Sequence, residues 1–264
     1  MTEWDAAAYA KMSGLQKAMA AQVLPLLELR GDEHVLDVGC GEGRITALIA
    51  SRVPRGEVLG VDPSRDMIAF ASSHSGGEIR SNLRFEVADA RALAFADAFD
   101  LVVSFNALHW IPDPDPALRS IQVALKRGGR AQLRMVTAGP RQSLENVVEE
   151  TRQSPRWQGW FAGFSDPYLR LTAEQYAAAA ERNGLRAERA QTRDETWAFE
   201  SRSAFHTFCA VGLVAWTQRL PEAERSAFVD DVLDRYRAIS GDRAGGETTF
   251  KFYQTDFTLV PSGA

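Results

Sequence analysis

The sequence has little of several residue types that mark specialised classes of protein. Its 264 residues include two cysteines, Cys40 and Cys209, which excludes a disulfide scaffold and a cysteine-rich metal site. Its apolar runs are only a few residues long, too short for a membrane-spanning helix. The N-terminus carries Glu3 and Asp5 and lacks the basic-then-apolar pattern of a signal peptide. We therefore expect a cytoplasmic protein without a bound metal.

Lysine is also scarce, since four of the 30 basic residues are Lys and 26 are Arg. The net charge is −5, whereas nucleic-acid binding depends on phosphate neutralisation by clustered basic residues. We expect neither a nucleic-acid nor a membrane partner. A few of the arginines are candidates for gripping carboxylates, because the planar guanidinium matches a carboxylate bidentately. The apolar share of 45% is that of an ordinary globular protein.

Short apolar runs alternate with amphipathic segments between residues 30 and 137. The predicted strands are Val35–Val38, Glu57–Val61, Leu83–Val87, Asp100–Phe105 and Arg130–Val136. The predicted helices are Arg44–Arg52, residues 63–73 and Asp115–Leu125. This alternation is typical of an α/β fold with a doubly wound, mostly parallel sheet and helices on both faces.

The alternation loosens after residue 137. We expect one domain over residues 1–264, divided into a helical cover at 1–29, a core at 30–137, two inserts at 138–171 and 200–245, and the rest of the sheet at 172–199 and 246–260. The inserts are rich in aromatic residues, including Trp157, Trp160, Phe161, Phe164, Tyr168, Phe205, Phe208 and Trp216. They are expected to form a mostly apolar lid over the ligand site. The alternative is a satellite core that buries the same side chains.

A glycine-rich run, Asp37-Val38-Gly39-Cys40-Gly41-Glu42-Gly43, lies at a predicted strand-to-helix turn. Gly39, Gly41 and Gly43 let the backbone approach a ligand closely, and the following helix offers its positive end. The spacing differs from the G-x-G-x-x-G pattern of dinucleotide-binding proteins. Asp37 also places an acidic residue at the end of the strand, so a different nucleotide-like ligand is favoured.

Polar residues follow the next three predicted strands. Asp62 follows the second strand, where a carboxylate can accept both hydroxyls of an adenosine ribose. Asp89 follows the third strand and can accept an adenine amino proton, while the N–H of Ala90 serves a ring nitrogen. Asn106 follows the fourth strand. Acidic residues at three successive strand ends predict a cofactor that contains adenosine.

These motifs resemble those of the class I S-adenosylmethionine-dependent methyltransferases. The matching runs are D-V-G-C-G-E-G at 37–43, V-L-G-V-D at 58–62, V-A-D-A at 87–90, D-L-V-V-S-F-N-A-L-H-W at 100–110 and L-K-R-G-G-R at 125–130. The resemblance implies a Rossmann-like sheet of seven strands with the last strand antiparallel. It implies that the glycine run lies beside the methionine part of S-adenosylmethionine, that Asp62 holds the ribose and that Asp89 and Ala90 read adenine. Pro63 and Met67 complete the implied site, with Met67 beside the adenine or the ribose.

Two stretches are similar to those of the trans-aconitate and juvenile-hormone-acid methyltransferases. They are N-A-L-H-W-I at 106–111 and W-D-A-A-A-Y-A-K-M-S-G-L-Q at 4–16. By this resemblance an N-terminal helix closes over the cofactor, and Tyr9, Ser13 and Gln16 face its methionine carboxylate. The alternative for these residues is ordinary packing of a surface helix.

The acceptor chemistry leaves three candidate residues. A carboxylate acceptor is ionised at neutral pH and needs no base, whereas an alcohol or phenol usually needs one. His109 is placed to orient an acceptor oxygen, to act as a base, or only to bond backbone. Trp110 is expected either to wall the methyl channel or to pack in the core. Arg134 is the first candidate for gripping a substrate anion, with Arg156 and Arg170 as second choices.

These features favour a methyltransferase that forms a methyl ester on a small organic acid and releases S-adenosylhomocysteine. One alternative is an O- or N-methyltransferase of a secondary metabolite with His109 as base. Alternatives of other classes are a nucleotide-binding module without catalysis and a nicotinamide dehydrogenase. Methylation of nucleic acid or protein is not expected, because the charge is acidic and no N-P-P-Y-type motif follows the fourth strand.

Overall fold

The computed structural model describes residues 22–74, 81–240 and 248–263. The expected cofactor residues Tyr9, Ser13 and Gln16, with most of the expected N-terminal cover, lie outside this part of the chain. In the described ranges, no helix combines the length and the apolar character needed to cross a membrane.

Seven strands form one sheet in the order β3-β2-β1-β4-β5-β7-β6. Their bounds are His34–Val38 (β1), Glu57–Asp62 (β2), Leu83–Val87 (β3), Phe99–Phe105 (β4), Leu125–Thr137 (β5), Leu185–Ala198 (β6) and Thr249–Pro261 (β7). Strands β1 to β5 are parallel, and β7 is antiparallel to both β5 and β6. This topology confirms the predicted fold class. The strand order reverses between β1 and β4, which is where ligands bind in open α/β sheets.

Helices cover the sheet on both faces. They are Arg44–Ala50 (α1), Arg65–His74 (α2), Asp115–Ala124 (α3), Leu144–Arg152 (α4), Ala173–Arg182 (α5), Arg202–Gly212 (α6), Val214–Thr217 (α7) and Glu222–Ser240 (α8). Short 3-10 turns occupy Leu24–Leu27, Ala90–Ala92, Leu108–Trp110 and Gln158–Phe161. The second insert has three helices, because the chain turns at Leu213 between α6 and α7.

Strand β5 begins earlier than its predicted start at Arg130. Leu125 already pairs with Phe99 of β4, and the register then shifts so that Arg130 pairs with Leu101. Gly128, with φ +79°, lies in the extra residues of this bulge. The glycines at 128 and 129 therefore lie in a bulged strand.

The two faces of the sheet bury separate cores. Leu36 of β1 and Val102 of β4 pack with helices α3 and α5 in one core, whereas their neighbours Val35 and Leu101 pack with α1 in another. Successive side chains of a strand point to opposite faces, so a parallel strand covered on both sides is apolar throughout. This arrangement fixes the carboxyl ends of β1 and β4 from both faces.

The aromatic-rich inserts bury most of their aromatic side chains in a third cluster. Trp157, Phe161, Phe205 and Trp216 are each at most 4% exposed and pack with residues of α4, α6 and α8. Trp160 differs, since it is 47% exposed. The satellite-core alternative therefore accounts for the aromatic side chains buried in this cluster.

Candidate active site

A cleft with a volume of about 490 Å³ opens at the carboxyl ends of strands β1 to β4. It brings together many of the residues predicted from the sequence. These are Gly39, Gly41, Asp62, Pro63, Met67, Asp89, Ala90, Asn106 and Trp110. Arg91, Pro112 and Pro167 also line it. The switch point of the sheet and the predicted cofactor motifs therefore coincide.

The glycine-rich turn lies against the loop that follows β4. Gly39 has φ +75° and donates its N–H to the carbonyl of Val61 at 2.8 Å. A Cβ on Gly39 would lie 2.2 Å from the Cβ of Ala107, so only glycine allows this approach. Gly41 has φ +54°, and no described atom lies within 4 Å of a Cβ built on it. The turn is tight on its protein side and has room at Gly41.

Two backbone N–H groups orient the carboxylate of Asp62. Gly41 N donates to Oδ2 at 3.0 Å, and Ser64 N donates to Oδ1 at 2.9 Å. One bond to each carboxylate oxygen fixes the plane of the group. Asp62 is thus held at the cleft wall, with one oxygen directed by the glycine turn and the other by the start of α2.

Asp89 forms an ion pair with Arg91, which was not among the predicted site residues. Arg91 donates from Nε to both carboxylate oxygens, at 2.9 and 3.1 Å, and from Nη2 to Oδ2 at 2.6 Å. These bonds lower the pKa of Asp89 below its ordinary value. Asp89 also caps the 3-10 turn that contains Ala90, by accepting the N–H of Arg91. A D-x-R spacing next to a strand end was the available signal for this pair.

Asp37, Cys40 and Gly43 lie in the glycine-rich run but do not line the cleft. The buried carboxyl of Asp37 accepts a hydrogen bond from Thr46 Oγ1 of α1 at 2.7 Å. Burial, together with the nearby charge of Asp62, raises the pKa of Asp37 to about 7. Burial likewise raises the pKa of the Cys40 thiol far above its ordinary value. Gly43 begins α1 with φ +80°. These three residues belong to the glycine-rich turn but lie outside the wall of the cleft.

Asn106 adopts a left-handed conformation, with φ +57°, at the end of β4. Asparagine tolerates this region better than most residues. Its N–H donates to the carbonyl of Arg134 at 2.8 Å, and its Oδ1 accepts from Gln254 Nε2 at 3.0 Å. Strands β5 and β7 therefore both hold the turn that carries Asn106 into the cleft.

His109 is 4% exposed and does not line the cleft. Its Nδ1 accepts the N–H of Val136 at 3.4 Å, and its carbonyl accepts the N–H of Leu169 at 2.7 Å. Burial lowers its pKa to about 3, so the ring is neutral and its proton is assigned to Nε2. Of its three predicted roles, this geometry matches the one that bonds backbone. The neighbouring Trp110 does line the cleft and packs against Tyr168, with ring centroids 5.1 Å apart.

The structure does not bring Arg134 to the cleft. Its side chain is 1% exposed, and it binds Asp256 of β7 through Nε at 2.5 Å and Nη2 at 2.9 Å. Its Nη1 donates to Gln22 Oε1 at 3.2 Å. This buried ion pair links β5 to β7. Moving the guanidinium of Arg134 toward a substrate would leave the buried charge of Asp256 less well neutralised, which is unfavourable. The second choices are also paired, Arg156 with Asp231 and Arg170 with Asp166.

Comparisons with known proteins agree with the fold. A family model described as a methyltransferase domain matches residues 35–129. The chain is 24% identical to trans-aconitate 2-methyltransferase of Delftia acidovorans over 263 residues, which cover 96% of each protein. The structure is similar to that of the YcgJ protein of Bacillus subtilis, with a TM-score of 0.69 and 21% identity, covering 94% of this chain and 100% of that one.

A second solved structure shares the fold and carries a methyltransferase ligand. Phosphoethanolamine N-methyltransferase 2 of Haemonchus contortus was determined with phosphomonomethylethanolamine and S-adenosylhomocysteine. Its TM-score is 0.64 at 19% identity, covering 97% of this chain and 57% of that one. At such identities the likeness of the structures concerns the fold alone.

The fold, the matched domain and the similar proteins indicate a class I S-adenosylmethionine-dependent methyltransferase, with S-adenosylhomocysteine as product. Within that class it is similar over nearly its whole length to trans-aconitate 2-methyltransferases of bacteria. This assignment sets aside the non-catalytic module and the nicotinamide dehydrogenase.

The residues of the cleft fit this cofactor. A Cβ on Gly41 would enter open space, so the turn leaves room there for a ligand against its backbone. The carboxylate of Asp62 is fixed by backbone donors at the place where ribose hydroxyls are expected. Ala90 and Met67 add small and apolar surface to the wall of the cleft. S-adenosylmethionine, when bound, supplies an electrophilic methyl group on its sulfonium.

Proposed function

We propose that this methyltransferase forms a methyl ester on a carboxylate of a small organic acid. The observation that carries the proposal is the set of ionisable side chains at the cleft. Among the described residues that line it, these are Asp62, Asp89 and Arg91. The two carboxylates are held by backbone or by Arg91, and no His, Lys, Cys or Tyr side chain of this part of the chain joins them. An acceptor that is already ionised suits such a site.

The residues around the cleft then have positioning roles. Asp62 and the glycine turn hold the cofactor, while Trp110, Pro112 and Pro167 provide an apolar wall that limits water near the methyl group. Alignment of an anionic oxygen with the methyl–sulfur bond is the main requirement of such a transfer. The similarity to trans-aconitate 2-methyltransferases supports a carboxylate acceptor and suggests trans-aconitate as the first acid to assay.

The rival function, with His109 as general base, finds less support. A general base works best when its pKa is near the working pH, whereas burial lowers the pKa of His109 to about 3. The ring is buried behind Trp110 and engaged with the backbone of β5. An alcohol or amine acceptor would therefore need a base from elsewhere.

The test is the stability of the methylated product in alkali. The protein is incubated with methyl-labelled S-adenosylmethionine and a set of organic acids that begins with trans-aconitate, alongside matched alcohols and amines. A methyl ester releases labelled methanol at mildly alkaline pH, whereas a methyl ether or methylamine does not. We expect labelled, alkali-labile product from at least one acid. Turnover of only alcohols or amines, or a product stable in alkali, contradicts the proposal.

A further inference from the structure

A second cavity, of about 380 Å³, lies beyond the carboxyl end of β5. Its walls come from residues 136–143, the first turn of α4 at Asn146, residues 168–170 and residues 251–253 of β7. It shares no lining residue with the cofactor cleft. None of the motifs that predicted the cofactor site contributes to it.

The two cavities are nevertheless neighbours. Pro167 lines the cofactor cleft, and the next residue, Tyr168, lines the second cavity. The ring of Tyr168 lies 5.1 Å from that of Trp110 and 5.0 Å from that of His109, between ring centroids. Trp110 and Tyr168 therefore form an aromatic layer where the walls of the two cavities meet.

The lining of the second cavity is cationic. It includes Arg141, Arg170 and Lys251, and no carboxylate is found among the described residues of its wall. Arg141 binds Asp194 through both terminal nitrogens, at 2.6 and 2.9 Å. The charge of Lys251 acts on the same carboxylate, since both cations lower the pKa of Asp194. Arg141 and Lys251 thus act on Asp194, and Arg170 pairs with Asp166, so these cations of the wall face carboxylates that do not line the cavity.

Further polar groups lie beside the cavity or in its wall. Arg170 is paired with Asp166 through Nη1, but its buried Nε has no hydrogen-bond partner among the described residues. The same holds for the buried hydroxyl of Tyr168. Ser143 and Asn146, at the start of the nine-residue helix α4, also line the cavity, and the N-terminal end of a helix is electropositive.

We propose that the second cavity is an anion subsite, which binds a carboxylate of the acceptor remote from the one that is methylated. Lys251, Arg141 and Arg170 are its specificity-determining residues. A charge-assisted contact there orients the acceptor, while the aromatic layer of Trp110 and Tyr168 contacts its carbon chain. This inference rests on the proposed function for the identity of the acceptor, but the binding of an anion can be measured without methyl transfer.

Lys251→Gln is the variant of choice. Tyr236 Oη bonds the backbone N–H and carbonyl of Lys251, at 3.0 and 3.1 Å, and the substitution leaves these backbone bonds in place. Lys126→Gln is the matched control, because it removes the same charge at the amino end of β5, where Lys126 pairs with Asp100 at 2.9 Å.

The experiment compares succinate with butyrate as probes, by calorimetry on the protein saturated with S-adenosylhomocysteine. Both probes have four carbons, and only succinate carries a second carboxylate. We expect wild type and Lys126→Gln to prefer succinate, and Lys251→Gln to lose about tenfold of that preference. Equal binding of the two acids by wild type, or an unchanged preference in Lys251→Gln, overturns the subsite.

The outcomes for the two proposals are separable. A product stable in alkali contradicts ester formation, whatever succinate does. Loss of the succinate preference in Lys251→Gln supports the subsite even if the methylated acid is still unidentified. If acids are methylated but succinate binds no better than butyrate, ester formation stands and the anion subsite is wrong.

Discussion

Gln254 of the last strand donates a hydrogen bond from Nε2 to Oδ1 of Asn106, at 3.0 Å, across a separation of 148 residues. Gln254 is 2% exposed, and Asn106 lines the cofactor cleft. The final strand therefore reaches the turn after β4 and holds a residue whose φ of +57° is unfavourable for most side chains. The same turn carries Ala107, so its position determines how closely Ala107 approaches Gly39.

Gln254→Ala should weaken S-adenosylhomocysteine binding about fivefold, because one buried hydrogen bond that holds the turn is lost. Gln132→Ala is a matched control, since this buried glutamine of β5 accepts a hydrogen bond from Thr258 at 2.9 Å. Both variants should lose similar stability to urea, and only the first should lose affinity. Equal affinities in calorimetry would assign Gln254 a purely structural role.

Asp62→Ala should weaken S-adenosylhomocysteine binding about tenfold or more, because hydrogen bonds to a charged acceptor are stronger than neutral ones. Asp66→Asn provides the comparison, since Asp66 is exposed in the first turn of α2 and does not line the cleft. Calorimetry on both variants measures the effect. Similar affinities for the two would remove Asp62 from the proposed ribose site.

Arg91→Ala should tighten S-adenosylhomocysteine binding by about two- to threefold. Arg91 occupies the carboxylate of Asp89 through Nε and Nη2, so it competes with an adenine amino group for the same acceptor. The expected effect is small because the side chains of Arg91 and Asp89 are 52% and 28% exposed. Ion pairs that are this exposed to solvent contribute little free energy. Arg84→Ala, which removes an exposed pair with Glu57, serves as control. Weaker binding in Arg91→Ala would instead indicate that Arg91 contacts the cofactor.

His109→Asn should remove a pH-dependent loss of stability. Burial lowers the pKa of His109 from 6.5 to about 3. Between these pH values His109 is protonated in the unfolded chain and neutral in the folded chain. The free energy of unfolding then falls as pH decreases from about 6.5 to about 3, by up to about 1.4 kcal/mol per pH unit. Urea denaturation of both proteins at pH 5 and pH 7 measures the difference. Parallel curves would show that His109 titrates normally.

Asp37→Asn should stabilise the protein more at pH 8 than at pH 5. Burial raises the pKa of Asp37 from 3.8 to about 7, so the folded chain keeps a proton that the unfolded chain loses. This contribution to stability is complete below pH 4 and is lost as pH rises through about 7. Asparagine keeps the acceptor for Thr46 without a charge. Denaturation midpoints at the two pH values test the sign, and a benefit confined to pH 5 would contradict it.

Much of the fold followed from local pattern. The apolar runs at 35–38 and 83–87 predicted strands that the structure contains, because a strand buried on both faces must be apolar throughout. The glycine run and Asp62 were assigned to one cleft because the carboxyl ends of parallel strands meet at one edge of a sheet. The bulge at Gly128 was missed, since a glycine pair in sequence is equally compatible with the end of a helix.

The sequence by itself determined the class of cofactor, since its signals lie within a few residues of successive strand ends. Only the tertiary structure showed that Arg134 and His109 do not line the cleft. Arg134 and Asp256 are 122 residues apart, and no local pattern tells which of 26 arginines meets which carboxylate. His109 does not line the cleft for the same reason, because its burial depends on contacts with β5 and with Tyr168. Contacts between residues distant in sequence decided which candidate side chains line the cleft, whereas residues close in sequence determined the conformation of its backbone.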